Sequence, residues 1–124
     1  MFVVAIVALL AAVALPSYRS YLSKAHRTEA KADLSRGAQM MERYLTEKGT
    51  YATATLSDSG APPAVYKNRS ENGYYALSLS NLSASTFTLL AVPQGSQADD
   101  GCGTFTLNQA GERRVSKLTA AECW

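Results

Sequence analysis

The chain has 124 residues, 47% of them hydrophobic and 18% charged, with a net charge of +2. That is one folded domain's length, too apolar for a disordered chain and too nearly neutral to demand an anionic partner. Met1 to Tyr18 carries no charged side chain, so the 12 basic and 10 acidic residues all lie beyond it. What remains, about 100 residues, is enough to bury a core of its own. A simple soluble enzyme, a multi-pass membrane protein and a repeat array all fit this division poorly.

Met1 to Leu15 is apolar without interruption. As a helix rising ~1.5 Å per residue it spans about 22 Å, short of the roughly 20 residues that a ~30 Å hydrocarbon core requires. A secretory signal peptide would open with basic residues and close on a small-residue cleavage site, and this run does neither. A buried core helix would carry a polar stripe, and none is present. The segment is therefore expected to lie against other apolar helices, with a few residues preceding it in the complete chain. Pro16 cannot donate to the carbonyl of Ala12, so a helix passing through it should weaken or bend there. The alternative is that Pro16 opens a new helix at its first turn.

Arg19 to Lys48 holds seven basic and four acidic residues. This positive excess directly after the apolar run reads either as a set of cations meeting a membrane surface or as a solvated helix face. From Tyr18 the helical pattern continues for about thirty residues. Ala30, Leu34, Gly37 or Ala38, Met41 and Leu45 recur at steps of three or four and share one stripe. Arg27, Lys31, Arg36 and Arg43 are expected in solvent. Gly49 follows Glu47-Lys48 and suits a helix C-cap.

Gly49 to Asn72 is rich in Thr, Ser, Ala, Gly and Pro and reads as a long connecting loop, with a short helical turn at most. Strands follow. Tyr74–Leu82 alternates at Tyr75, Leu77 and Leu79, Thr86–Val92 is β-branched and aromatic, and Asn81 to Ser85 forms the turn between them. Thr104–Leu107 alternates again, Asn108 to Gly111 is the next turn, and Arg113–Val115 is a short fourth strand. The expected architecture is α+β: a long N-terminal helix whose stripe covers a small antiparallel sheet of about four strands. Residues 1–24 form a hydrophobic helical segment for membrane or filament core, and 25–124 a globular head.

Cys102 and Cys123 are the only cysteines. Bracketing a terminal hairpin in a domain that reads as exported, they predict a disulfide. No catalytic site emerges. His26 is the only histidine and reads as a solvated helix residue, which leaves no histidine-based triad and no four-ligand zinc site. Asp99-Asp100-Gly101 reads as a plain turn rather than a calcium loop, and no glycine-rich phosphate loop occurs. Neither a metal nor a cofactor is implied. Asn68-Arg69-Ser70 and Asn81-Leu82-Ser83 match the glycosylation triplet, a pattern common by chance. Arg113, Arg114 and Lys117 form a basic cluster, and Tyr66, Tyr74 and Tyr75 could offer stacking faces to DNA. The plainer reading is a solvated turn with tyrosines in the core.

Taken together, these segments resemble a known family. The run Met1-Phe2-Val3-Val4-Ala5-Ile6-Val7-Ala8-Leu9-Leu10-Ala11-Ala12-Val13-Ala14-Leu15-Pro16-Ser17-Tyr18 looks like the amino-terminal helix of type IV pilins. Arg27-Thr28-Glu29-Ala30, Glu42-Arg43-Tyr44 and Gly49-Thr50-Tyr51 resemble that family's helix and its exit. Cys102 to Gly111 with Cys123-Trp124 looks like the carboxy-terminal region of PilE-type minor pilins. The resemblance implies a mature chain that begins about half a dozen residues earlier, with a methylated Phe and a nearby Glu that match no residue here. Ala8 stands where many pilins carry Gly, which leaves Pro16 as the main helix-weakening residue.

The resemblance further implies a subunit held in the bacterial inner membrane by a single pass, then assembled with other pilin subunits by the pilus machinery into a surface filament. Phe2, Ile6, Leu9, Leu10 and Val13 would pack against neighbouring helices. Such filaments serve twitching motility, adhesion or DNA uptake. Two alternatives remain, a DNA-binding receptor pilin at the pilus tip using Arg113, Arg114 and Lys117, and a type II secretion pseudopilin. The carboxy-terminal cysteine pair resembles pilins more than major pseudopilins.

Overall fold

The computed structural model describes residues 2–124, apart from the side chains at positions 13–17, 19 and 20. A single helix, α1 (Phe2–Lys48), occupies more than a third of the chain. One element therefore spans Pro16, rather than a second helix beginning there. The side chains of Val13 and Pro16 themselves lie outside the described residues, as does Met1. The helix stops at Gly49, whose φ of 77° places it in the left-handed region, and whose N–H donates to the Leu45 carbonyl at 2.7 Å. This is the C-cap expected of that glycine.

The remaining elements are β1 (Leu56–Ser57), β2 (Tyr66–Lys67), β3 (Tyr75–Ser80), β4 (Thr88–Pro93), a 3-10 turn over Gly95–Asp99, β5 (Phe105–Asn108), β6 (Arg113–Val115) and α2 (Ala120–Cys123). Strands β3 to β6 form an antiparallel meander in the order β3-β4-β5-β6. The loop from Gly49 to Asn72 departs from its expected irregularity where Arg69 bridges antiparallel to Ala76 of β3 and between its two short strands. There β1 and β2 pair in parallel, Leu56 opposite Tyr66 and Ser57 opposite Lys67.

Register puts the alternating apolar residues on one face of the meander. Leu77 stands opposite Ala91, Leu79 opposite Leu89, Leu89 opposite Leu107, Ala91 opposite Phe105 and Phe105 opposite Val115. A one-residue slip in any pair would turn that face to water. The face is covered by Ala30, Leu34 and Met41 of α1, all fully buried, with Ala38 and Leu45 beside them. Helix and sheet meet closely at Gly37, where an added Cβ would lie 3.1 Å from a methyl of Leu89. Tyr51 packs edge-on against Phe87, and Phe105 lies between Tyr75 and Trp124.

Cys102 and Cys123 are joined in a disulfide with their Cα atoms 6.0 Å apart, and both are buried. The bond ties α2 and the carboxy terminus to the loop before β5, enclosing the β5–β6 hairpin. Among the described residues, no helix is long and apolar enough to cross a membrane, and no group of three or more His, Cys, Asp or Glu is placed to hold a metal ion.

Candidate functional site

Two surfaces stand out, and they lie on opposite parts of the chain. The first is the amino-terminal stretch of α1, exposed at every described position from Phe2 to Ala12. Phe2 is 87% exposed and Ile6, the least exposed of its large apolar side chains, still 56%, with Leu9 and Leu10 between them in accessibility. Helical geometry explains this: side chains with no polar stripe among them point to every side, and the head reaches only the later turns. A soluble monomer would rarely leave so large a contiguous apolar surface in water.

The second surface is the carboxy-terminal edge of the sheet. Arg113 and Arg114 sit on the outermost strand β6, both exposed. The Arg113 guanidinium stacks over the Trp124 ring at 5.3 Å. Trp124 is held in turn by its Nε1–H, which donates to the Arg114 carbonyl at 3.1 Å, and by an edge-on contact with Phe105. Arg114 pairs with Glu112 at 2.9 Å across exposed surface, a contact worth little in water. Lys117 reaches back to the Asp100 carbonyl at 3.4 Å. Arg113 and Arg114 thus share the edge strand, their side chains alternating between its two faces, while Lys117 is drawn back to the Asp100 segment.

The tyrosines proposed as stacking faces do not join them. Tyr75 is fully buried, and burial pushes its hydroxyl above the ordinary tyrosine value. Tyr66 donates to Asp33 at 2.7 Å, and burial together with that carboxylate pushes its pKa up to about 12. Tyr74 stacks on His26 with ring centroids 3.6 Å apart. His26 is therefore not a solvated helix residue. Its ring is covered by Tyr74, and its Nδ1 lies 3.0 Å from the Gln97 side-chain oxygen. Aromatic residues bring large apolar area, and here the core claims it before any ligand can.

Arg27 and Lys31 also depart from the solvated positions expected of them. Arg27 Nε donates to Asp100 at 2.7 Å, with a second bond from its Nη2, and Ser23 donates to the same carboxylate at 2.7 Å. Burial alone would raise the Asp100 carboxyl; the bonds from Arg27, Ser23 and the Cys102 N–H outweigh it and hold the group below the usual carboxylate range. The Arg27 guanidinium is raised by the same hydrogen bond. Asp100 is thus a clamp between helix and head, not a plain turn residue. Lys31 donates to the Cys123 carbonyl at 3.1 Å, anchoring the disulfide to α1. A second buried carboxylate, Asp33, is met by Tyr66 and by Lys67 at 3.1 Å. The sequence did hold a signal for Arg27, because Ser23, Arg27, Ala30 and Leu34 follow each other at the stripe's own spacing.

Known proteins agree with this architecture. A family model described as type IV minor pilin ComP, DNA uptake sequence receptor, matches residues 16–106. The chain is 30% identical to the type IV major alpha-pilin of Moraxella bovis over 124 residues, covering 98% of this chain and 72% of that one. Its fold is similar to the crystal structure of the non-core minor pilin PilV of Neisseria meningitidis, with a TM-score of 0.61 and 30% identity over 80% of this chain and 91% of that one. A type IV pilin from Shewanella oneidensis aligns with a TM-score of 0.59 and 29% identity, covering 82% and 97% respectively.

Proposed function

This chain belongs to the type IV pilin family, as a structural subunit of minor-pilin type in a type IV pilus at the cell surface, and from that premise we propose how its parts are used. Residues 1–24 serve as the membrane and filament-core segment, and residues 25–124 as the head. Before assembly the apolar segment lodges in the bacterial inner membrane. It then leaves the membrane for a bundle of pilin helices, delivered by the assembly machinery. Phe2, Ile6, Leu9, Leu10 and Val13 pack against neighbours there, and Pro16 weakens the helix locally. The observation that carries this reading is the exposure of every large apolar residue described between Phe2 and Leu10.

The physical drive is hydrophobic. Burying that surface is worth about 25 cal/mol per Å² removed from water, and no part of the monomer can cover it. A head-to-tail contact whose rotation does not close extends into a filament. Ile6→Asp places a charge in the helix bundle and should abolish incorporation into pili while leaving the head folded. Normal pilus incorporation of that variant, measured on sheared filaments, overturns the reading.

A second reading is favoured by the family model's description as a DNA uptake receptor together with the exposed Arg113, Arg114 and Lys117, of which Arg113 stacks on Trp124. In it the carboxy-terminal edge binds duplex DNA through phosphate contacts. Each neutralised phosphate steepens the salt dependence of binding, so affinity should fall sharply between low and moderate salt. The triple substitution Arg113→Ala/Arg114→Ala/Lys117→Ala should remove that dependence. Absent or salt-insensitive DNA binding by the unmodified chain counts against a receptor role and leaves the filament subunit intact.

A further inference from the structure

The helix leaves the head at one end, and the residues around that exit share a character. Among the described residues, the hydrogen bonds nearest the amino terminus that join α1 to the head are made by Ser23, which donates to Asp100 at 2.7 Å and whose carbonyl accepts from Gln97 at 3.2 Å. At a rise of ~1.5 Å per residue, Tyr21 lies about 3 Å below that level and Tyr18 about 7.5 Å. Both rings are free, Tyr21 at 69% exposure and Tyr18 at 59%. On the head, the Asp100–Gly101 segment bonded to Ser23 is in turn covered by the loop after β6. Lys117 reaches the Asp100 carbonyl, and a Leu118 methyl lies 3.4 Å from where a Cβ on Gly101 would be. Leu118 is 48% exposed, though it belongs to a head whose other large apolar residues are mostly covered.

The charges at this end are of both signs. Lys24 and Lys117 are exposed here, and so are the acidic Asp99 and, four residues after Leu118, Glu122. Arg27 is neutralised by Asp100, and the Lys31 ammonium is held on the Cys123 carbonyl. An apolar rod, two amphipathic tyrosines, an exposed leucine and two exposed lysines thus meet near the exit of the helix from the head. Apolar, aromatic and cationic side chains are the groups that a membrane's interface takes up, from acyl chains to anionic headgroups.

We propose that before assembly the underside of the head docks on an anionic phospholipid surface, with Leu118 entering the headgroup layer beside Tyr18 and Tyr21 while Lys24 and Lys117 meet lipid phosphates. The inference rests on the reading that α1 occupies a membrane before assembly. It adds a stop: the head lies flush on the bilayer and sets how deep the helix sits. It also gives Leu118 a role, since neither core packing nor the basic edge around Trp124 uses it.

The test places a reporter tryptophan in the full chain, in a Trp124→Phe background, at Leu118→Trp or at Tyr21→Trp. Each variant is reconstituted into nanodiscs of zwitterionic lipid alone or with anionic phosphatidylglycerol, and quenching by lipids brominated near the headgroup is read. Near-ultraviolet and far-ultraviolet circular dichroism confirm the fold of each. Both reporters should be quenched in anionic nanodiscs, and the signal at position 118 should fall severalfold in zwitterionic lipid or in molar salt, where the Debye length shrinks to about 3 Å. Quenching at position 21 without quenching at 118 overturns the docking while leaving membrane residence of the helix in place. Quenching at neither position overturns both. Equal quenching at 118 with and without anionic lipid overturns the charged component, and with it the proposal as stated.

Discussion

Removing the Arg27 side chain asks how firmly the head is held on the helix. The Asp100 side chain is 4% exposed against 22% for Arg27, so Arg27→Ala strands an almost buried carboxylate. Breaking a buried pair from one side costs about 3–5 kcal/mol. Ser23 and the Cys102 N–H continue to donate to Asp100, which places the expected loss at the lower end, about 3 kcal/mol. For a domain of this size a loss of 1 kcal/mol lowers Tm by about 4 °C, so a fall of about 12 °C is expected. Circular dichroism of the full chain in mild detergent would measure it.

The exposed pair Arg43–Glu47, with side chains 71% and 56% accessible, is the control. Arg43→Ala should cost under about 0.5 kcal/mol. The double change Arg27→Met/Asp100→Leu should recover most of the stability, because no stranded charge remains. The pH dependence has a definite sign. The folded Asp100 carboxyl is depressed below its ordinary value of 3.8, so its contribution is complete above that value and is lost as pH falls through the lower folded one. The Arg27→Ala penalty should therefore shrink as the pH falls below that ordinary value. A Tm within about 2 °C of the unmodified chain at neutral pH refutes the reasoning.

Three further outcomes are expected. Cys102→Ser/Cys123→Ser should lose about 3 kcal/mol by urea unfolding, the chain-entropy value for the 21-residue separation, and amide exchange should rise first in α2. Gly37→Ala should stay within about 1 kcal/mol of wild type, because the gain in helix propensity offsets the close approach to Leu89; Gly37→Leu overfills the same gap and should lose about 2 kcal/mol by the same assay. The Tyr66 hydroxyl, raised from 10.0 to about 12 by burial and Asp33, should make stability fall as pH rises between those values, since the folded state then keeps a proton that the unfolded chain releases. Tyr66→Phe should flatten that alkaline limb in a pH series of melting curves.

Periodicity carried the elements of this protein because it reflects backbone geometry that any fold must obey. The 3.6-residue stripe from Ala30 to Leu45 and the alternation in β3, β4 and β5 appear where they were expected, β6 coincides with Arg113–Val115, and Gly49 closes the helix. The cysteine pair was legible for a different reason, being the only pair available. The exposed apolar stretch of α1 was legible too, since a run with no polar side cannot hide against one small head.

Partners across long sequence separations were not legible. Asp100 looked like half of an acidic turn, and only the tertiary structure brings it to Arg27, 73 positions away. His26 looked solvated until Tyr74 and Gln97 met it, and the tyrosines, expected in the core, gave no sign of their particular partners, among them Asp33. The two-residue parallel pairing of β1 and β2 left no mark, because so short a strand has no period to read. Sequence alone determined which faces are apolar, a property of each element's own repeat. Which polar groups are buried was decided by the chain's return to the helix, because a side chain's partner depends on where distant segments come to rest.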